Sequence, residues 1–227
     1  MDFKFPHTPH LAWLGTGSAR ADKVMSPDEV AVFLNRPVTV EEKIDGANLG
    51  IAFPEGGSAV VKNRGTVLSR GSHPQFQTLW PWLATHEQDL REGLGQHLTL
   101  YGEWCFAVHS VRYSALPDYF IGVDVYDRKK EKFWTVKRRN AWAEPLGVVT
   151  APIVASGRYS LQELKQLLGS LQSRFGGEKA EGLYLRQDDG EWLRRRAKLV
   201  RPEFVQAIGE HWTKHALEKN FLSRVTA

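Results

Sequence analysis

The chain has one cysteine, Cys105, among its 227 residues, so it cannot form an internal disulfide. It also has no apolar run near the roughly 20 residues that a membrane-spanning helix requires. The N-terminus, MDFKFPHTPHLAWLGTG, lacks the basic-then-apolar order of a signal peptide. These absences predict a cytoplasmic protein with no membrane partner, in which Cys105 is a small buried hydrophobic side chain.

Signatures of a metal centre or a hydrolase are equally sparse. Among the 8 histidines, only His211 and His215 are spaced like a ligand pair, four positions apart on a predicted helix. Such a pair could bind a metal, but no cysteine lies near it, so we interpret both residues as exposed or packing histidines. His109 and Ser110 are adjacent, but no Gly-x-Ser-x-Gly elbow is present, which argues against a serine hydrolase.

No internal repeat, low-complexity tract or linker divides the chain, and hydrophobic residues make up 42% of it. Short β-rich segments alternate with helical ones, so we predict one α+β domain over 1–227, with antiparallel sheets flanked by helices. Its core is expected at about 38–201. Segment 1–37 and a C-terminal helix over 202–227 are expected to pack on that core.

Capping boxes predict two of the helices. Ser26 with Glu29 begins a helix that ends near Asn35, and Ser160 with Glu163 begins another that ends near Leu171. The stretch PQFQTLWPWLATHEQDLR predicts a helix that is kinked or split by its internal proline, Pro81.

Strands are predicted from alternating or continuous apolar segments. VTVEEKI, NLGIAF and SAVVKNRG predict an antiparallel meander, and HLTLYGEWCFAV, DYFIGVDVYD and EKFWTV predict further strands. RRNAWAEPLG predicts a short helix and EGLYLRQDDGEWLRRRAKLV predicts a hairpin. RPEFVQAIGEHWTKHALEKNFL predicts a closing amphipathic helix.

Basic residues are clustered, although the net charge is only +4. The clusters are DRKKEKF, VKRRN and LRRRAKLVR. A solvated surface explains any one of them, but together they favour a face that binds nucleic acid. Most of the tryptophans are interpreted as core residues, with stacking on a single strand as the alternative.

Four charged residues lie within or beside apolar strands, where unpaired charge is costly. They are Lys43, Glu103, Glu181 and Lys198. If their strands line one cleft, these charges can satisfy one another and a bound phosphate. The tetrapeptide Lys43-Ile44-Asp45-Gly46 is weak evidence alone, because a strand-end lysine before a β-turn gives the same pattern.

The order EKIDGAN, KNRG, YGEW, YFIGVDVYD, EGLYLR and RAKLVR resembles the six collinear motifs of the covalent nucleotidyltransferases. This superfamily comprises ATP-dependent RNA ligases, DNA ligases and mRNA capping enzymes. The resemblance runs from about Val40 to Arg201. FPHTPHL, EWCFAVHSVRYSALPDYF and AKLVRPEF are more similar to RNA ligases than to DNA ligases. The resemblance implies a nucleotidyltransferase fold whose antiparallel sheets enclose an ATP cleft.

The chemistry that this resemblance implies begins with attack of the Lys43 amine on the α-phosphorus of ATP, which gives lysyl-AMP and pyrophosphate. AMP then moves to an RNA 5′-phosphate, and a 3′-OH displaces it. An attacking amine must be neutral, which requires its pKa to fall by roughly three units from 10.4. Burial, Lys198 and bound Mg²⁺ or Mn²⁺ are expected to lower the pKa of Lys43.

Further roles follow from the resemblance, position by position. Lys43 and Lys198 would be catalytic, and Glu181 and Asn48 would bind the metal. Glu103 would bind the ribose hydroxyls, and Arg64 the ribose or the substrate phosphate. The residues implied to contact ATP or AMP are Glu42, Ile44, Asp45, Gly46, Asn48, Arg64, Glu103, Tyr126, Glu181 and Lys198.

The sequence departs from the family pattern at two positions. Arg196 replaces a lysine that many members have, so its role is open, and Val123 replaces the aromatic residue that usually stacks on adenine. Tyr126 or Phe120 would then substitute for that aromatic residue.

Only 26 residues follow Arg201, too few for the oligonucleotide-binding barrel of DNA ligases. The clamp on the substrate would be absent, formed by the terminal helix, or supplied by a partner such as an end-healing enzyme. RNA end joining is the leading function. The alternatives are a DNA nick ligase, a nucleic-acid-binding module that has lost catalysis and, less favoured, a capping guanylyltransferase.

Overall fold

The computed structural model describes residues 3–16, 23–176, 179–206 and 217–223. Its helices are α1 (Pro27–Leu34), α2 (Leu79–Leu94), α3 (Val136–Ala143), α4 (Leu161–Ser170) and α5 (Pro202–Gln206). Its strands are β1 (Val38–Lys43), β2 (Ala47–Ala52), β3 (Val60–Asn63), β4 (Thr66–Val67), β5 (Leu98–Trp104), β6 (Phe120–Asp127), β7 (Lys132–Phe133), β8 (Ile153–Gly157), β9 (Gly182–Asp189) and β10 (Trp192–Val200).

The strands form two antiparallel sheets, which confirms the mixed α/β class with antiparallel sheets. The four-stranded sheet has the order β10-β9-β1-β8, and the six-stranded sheet has the order β4-β3-β2-β5-β6-β7. One core lies between the six-stranded sheet and α2, and a second lies under α1 and α4 on the four-stranded sheet. Cys105 is buried, as expected.

The predicted meander of the first three strands is wrong for β1. This strand pairs with β8 and β9, whereas β2 pairs with β3 and β5 in the other sheet. The partners of β1 lie more than 100 residues further along the chain, and turn signals identify only neighbouring strands. The sequence pattern therefore predicted pairing of β1 with β2. The consequence is that Ile44–Gly46 carries the chain from one sheet to the other.

The capping boxes of α1 and α4 are both present, with Ser26 and Ser160 as N-caps. Helix α2 is continuous through Pro81, which lies in its first turn. Backbone N–H groups in the first turn make no hydrogen bond within the helix, so a proline there breaks none. The split falls earlier, between a 3₁₀ turn at Pro74–Phe76 and the start of α2.

The predicted closing helix begins as α5, and its region 207–216, with His211 and His215, lies outside the described residues. Residues 217–223 are not helical, contrary to the prediction. Asn220 is buried there, and its side-chain amide donates to the carbonyls of Cys105 and Ala107 while its oxygen accepts from the Tyr113 amide. These bonds to the 105–113 loop replace helical ones.

Candidate active site

Lys43 ends β1, where the chain leaves the four-stranded sheet, and its side chain lines a cleft of about 720 Å³. This volume falls within the range of small-molecule binding sites. The predicted site residues that line the cleft are Lys43, Asn48, Arg64, Glu103 and Lys198. Since β1 and β10 belong to one sheet and β2 and β5 to the other, residues of both sheets face the cleft.

Lys43 donates a hydrogen bond to Glu181, with its Nζ 2.5 Å from Oε2 of that carboxylate. Burial alone would lower the pKa of Lys43, but the negative charges of Glu181, Glu103 and Asp45 outweigh it and raise the pKa above its ordinary value. The lowering expected with a bound cation stays a prediction, and the raised pKa belongs to the protein without a bound nucleotide or metal. In that state the amine keeps its proton.

Glu103, which lines the cleft, and Glu181, which contacts Lys43 but is not among the residues lining the cleft or the inner pocket next to it, both have a pKa above that of an ordinary glutamate. Burial raises the pKa of Glu103 to about 8, and burial raises that of Glu181 to about 7, while the nearby Lys43 ammonium opposes both shifts. Asn48 donates from Nδ2 to Oε1 of Glu103 across 3.4 Å. Two carboxylates and an amide oxygen form a hard donor set that fits Mg²⁺ or Mn²⁺ retaining several waters.

Within the ranges that the structure describes, no group of three or more His, Cys, Asp or Glu residues could hold a metal by itself. A cation here would therefore need oxygen ligands from water or from the nucleotide phosphates in addition to the protein.

Asp45 fixes the loop that follows the lysine. Its Oδ2 accepts from the amides of Ser110 at 2.6 Å and Val111 at 2.8 Å, and its own amide donates to the Tyr113 hydroxyl. Gly46 lies so close to β5 that an added Cβ would come within 2.9 Å of the Trp104 carbonyl oxygen. Both residues thus hold the backbone beside Lys43 in place.

A narrow inner pocket of about 40 Å³ continues from the cleft past Lys43, and Glu42, Ile44 and Val123 are among its lining residues. Oε2 of Glu42 accepts from the Arg174 amide at 2.9 Å, whereas Oε1 is buried and has no hydrogen-bond partner. Burial raises the pKa of Glu42. An acceptor in this position is suited to a donor group on a bound molecule.

The aromatic residues proposed to stack on a base do not line the cleft or the inner pocket. The Tyr126 ring packs on Phe133 with centroids 4.7 Å apart, and Phe120 packs on Trp82 in the main core. Phe5 and Tyr184 line both cavities instead. Sequence reasoning missed these two, since FPHTPHL suggested a family and gave no role to Phe5.

Arg196, whose role the sequence left open, belongs to a buried ion network beneath the cleft. Its Nη1 lies 3.0 Å from Oδ2 of Asp124, and its guanidinium lies 4.5 Å from the centroid of Phe5. Asp124 also pairs with Arg186, which is 3.7 Å from Glu41. The side chains of Arg186, Asp124 and Glu41 are fully buried.

The network joins the two sheets, since Glu41 and Arg186 lie on β1 and β9 and Asp124 lies on β6. Glu41 further accepts from Arg139 of α3, with Oε1 and Nη2 2.5 Å apart. These charges pair with one another away from solvent, so loss of either acid, Glu41 or Asp124, leaves a buried guanidinium without its closest carboxylate. Arg196 extends the network to Phe5 in the cleft wall.

His10 is buried beside the cleft and its Nδ1 has no hydrogen-bond partner. Burial lowers its pKa to about 4, and Lys198, His7, Lys43 and Lys23 lower it further. Because the unfolded chain takes up this proton near pH 6.5 and the folded protein does not, stability is present above that pH and lost as the pH falls toward 4.

We therefore expect wild-type protein to lose about 2 kcal/mol of unfolding free energy between about pH 7.5 and about pH 5, beyond the loss in a His10→Asn variant. Urea unfolding of both proteins at the two pH values measures the difference. Equal losses in the two proteins would show that His10 titrates normally when folded.

Residues 36–200 match the sequence profile of the RNA ligase family. No curated protein matches the chain. Among the residues that the structure describes, no helix combines the length and apolar character needed to cross a membrane.

Three solved structures of Naegleria gruberi RNA ligase share the fold. The structure with pyrophosphate is 18% identical, with a TM-score of 0.61, over 78% of this chain and 52% of that one. A lysine-to-alanine variant with ATP and Mn is 18% identical, with a TM-score of 0.60, over 88% and 63% of the two chains. A lysine-to-methionine variant with AMP and Mn is 15% identical, with a TM-score of 0.61, over 90% and 63%.

The chain thus spans between about half and two thirds of the Naegleria structures that it matches. The profile match covers well over half of the chain and includes Lys43, Glu103, Glu181 and Lys198. This chain therefore belongs to the RNA ligase family.

Proposed function

We propose that this chain is an ATP-dependent RNA ligase that joins 3′-OH and 5′-phosphate ends in RNA repair, with one nucleotidyltransferase domain over 1–227. The observation that carries the proposal is the Lys43 amine, held in the cleft by the Glu181 carboxylate in a chain of the RNA ligase family. The ATP, AMP and pyrophosphate of the Naegleria structures match the reactant, the transferred group and the product of such a reaction.

In the first step, Lys43 passes a proton to Glu181 and its Nζ attacks the α-phosphorus of ATP. The N–P bond forms as the bond from the α-phosphorus to the bridging oxygen breaks, pyrophosphate leaves with the electron pair, and the nitrogen then releases its extra proton to water. Glu181 suits the proton transfer because its pKa is about 7 and its oxygen is already 2.5 Å from the amine. Lys198, which lines the same cleft, is placed to offset the phosphate charge.

Glu103, Asn48 and Oε1 of Glu181, the oxygen that does not accept from Lys43, would hold Mg²⁺ or Mn²⁺. When bound, the cation supplies positive charge that offsets the carboxylates, which are what raise the pKa of Lys43. The Asn63 side-chain amide donates from Nδ2 to the backbone carbonyl of Asn48 at 2.7 Å, which helps to hold Asn48 in place on β2.

In the later steps, the AMP moves from Lys43 to the 5′-phosphate of an RNA strand, and a 3′-OH then displaces it to form the phosphodiester bond. The partner is therefore RNA that carries both ends. An end-healing enzyme that leaves a 3′-OH and a 5′-phosphate is a class of protein partner that would supply these ends.

The inner pocket favours ATP over GTP. The buried Oε1 of Glu42 has no hydrogen-bond donor within the described residues. The exocyclic amino group of adenine can donate a hydrogen bond to it, whereas guanine has a carbonyl oxygen, an acceptor, at the same ring position. Phe5 and Tyr184 also line this pocket and supply aromatic surface to it. The pocket thus argues against the capping guanylyltransferase alternative.

A basic groove continues from the cleft wall along β10. It is lined by Pro9, Met25, Glu29, Phe133 and the run Leu193–Arg196. Arg194 and Arg195 are exposed and have no ion pair within the described part of the chain. Glu29 is the one acid among the lining residues, so the groove is positive on balance and suited to an RNA backbone.

We expect the protein to seal a nicked duplex with RNA on the 3′-OH side at least about tenfold faster than one with DNA there, in ATP and Mg²⁺.

Replacing Arg194 and Arg195 by glutamine is expected to slow sealing about tenfold, because phosphate contacts are lost. Formation of lysyl-AMP should not change in that variant. Product formation on denaturing gels measures both effects.

The matched control is Lys130→Gln/Lys165→Gln, which also removes two exposed charges but at residues that line neither the cleft nor the groove. Faster sealing of the DNA-ended nick would indicate the DNA nick ligase instead. Binding of either duplex without any sealing would indicate a module that has lost catalysis.

A further inference from the structure

The segment before the family-matched region contributes part of the cleft. The profile match begins at residue 36, yet Lys4, Phe5, Pro6, His7, Thr8 and Lys23 all line the cleft. Nothing in the motif pattern assigns these residues a role. They lie in the same cavity as Lys43 and Lys198, so whatever occupies the cleft beside Lys43 also faces them.

Backbone bonds fix this segment along β10. The Lys198 amide donates to the Pro9 carbonyl at 2.9 Å, and the Leu11 amide donates to the Lys198 carbonyl at 2.8 Å. The His10 amide donates to the Lys23 carbonyl at 2.8 Å, which ties Lys23 to the same segment. The main chain thus holds Lys23 close to Lys198.

Side-chain contacts hold the two ends of the lining stretch. The Thr8 hydroxyl and the Tyr184 hydroxyl are 2.9 Å apart, and Phe5 packs under the Arg196 guanidinium. The aliphatic stem of Lys4 lies against the turn after β3, where a Cβ on Gly65 would meet its Cδ at 3.4 Å. Lys4 therefore reaches the cleft from the side of Arg64.

The side chains that line the cleft include more positive than negative charges. The cations that line it are Lys4, Lys23, Lys43, Arg64 and Lys198, and its one lining acid is Glu103. Lys43 is paired with Glu181, while Lys4, Lys23 and Lys198 have no ion pair within the described ranges. Burial lowers the pKa of Lys198 to about 8, and repulsion from Lys43 and Lys23 adds to that shift.

We propose that Lys4 and Lys23 form, with Lys198, a subsite for the β- and γ-phosphates of ATP, and that they stabilise pyrophosphate as it leaves. A multiply charged phosphate would relieve the repulsion among these cations. The inference rests on the proposed function, because the subsite adjoins the amine that would attack the α-phosphorus. The 5′-phosphate of RNA offers the same chemistry and is the alternative source.

The test compares two ligands that differ in their terminal phosphates. Wild-type protein and a Lys4→Gln/Lys23→Gln variant are titrated with α,β-methylene-ATP, which Lys43 cannot cleave, and with AMP. We expect the variant to bind the triphosphate about 30-fold more weakly and AMP less than about twofold more weakly, since each lost lysine removes a charged phosphate contact. A Lys130→Gln/Lys165→Gln variant, with the same change in net charge, should bind both ligands like wild type.

Unchanged triphosphate binding, or an equal loss for both ligands, would overturn the assignment. So would weaker binding of a 5′-phosphorylated RNA strand with unchanged triphosphate binding, because the subsite would then serve the RNA end. Thermal unfolding checks that the variant is folded, and Lys4→Arg/Lys23→Arg should restore most of the affinity. If wild-type protein binds neither nucleotide, the proposed function fails, which is a separate outcome.

Discussion

Replacing Lys43 with arginine is expected to abolish transfer of labelled AMP from α-labelled ATP to the protein, with a rate loss of at least about 10³-fold. The guanidinium keeps a positive charge and can still pair with Glu181, but it cannot lose its proton to become a nucleophile. The folded structure should therefore persist while chemistry stops. Retention of label on a denaturing gel measures the rate.

The control for this substitution is Lys130→Arg, at an exposed lysine in the turn between β6 and β7. It should label like wild type. A Lys43→Arg protein that still accepts AMP at more than a few per cent of the wild-type rate would place the nucleophile elsewhere.

Replacing Asp124 with alanine is expected to destabilise the protein by about 3–5 kcal/mol, the range measured when one partner of a buried ion pair is removed. The change removes the closer carboxylate partner of the fully buried Arg186, leaving it only Glu41 at 3.7 Å, and frees Arg196 from its only ion pair in the described residues. Equilibrium unfolding in urea measures the loss.

Asp89→Ala provides the control, because Asp89 is exposed on α2 and lies outside the ion network. It should change stability by less than about 0.5 kcal/mol. An equally small effect at Asp124 would mean that the network does not hold the two sheets together. Loss of order around Phe5 should accompany the larger effect, since Arg196 packs on that ring.

Local signals predicted the helices well, because a capping box depends on residues three positions apart. Ser26 with Glu29 and Ser160 with Glu163 begin helices as expected. The turn at Gly190, which has φ +57, likewise marks the β9–β10 hairpin. Local signals did not predict pairing between distant segments, such as that of β1 with β8 and β9.

The motif residues of the cleft were predicted from resemblance, and the structure brings Lys43, Asn48, Arg64, Glu103 and Lys198 to one cavity. Their individual roles stay predictions. The N-terminal cations could not be predicted, because nothing in the sequence shows that Lys4 and Lys23 fold back to line the cleft. The direction of the Lys43 pKa also depended on three-dimensional distances to carboxylates, which spacing along the chain does not give.

Peptide mapping of wild-type protein incubated with ATP and Mg²⁺ tests the central claim most directly. The account predicts that the mass of one adenylyl group appears on the peptide that contains Lys43, and that added pyrophosphate removes it. An adenylyl group on any other residue, or none on a protein that seals RNA, would contradict the account.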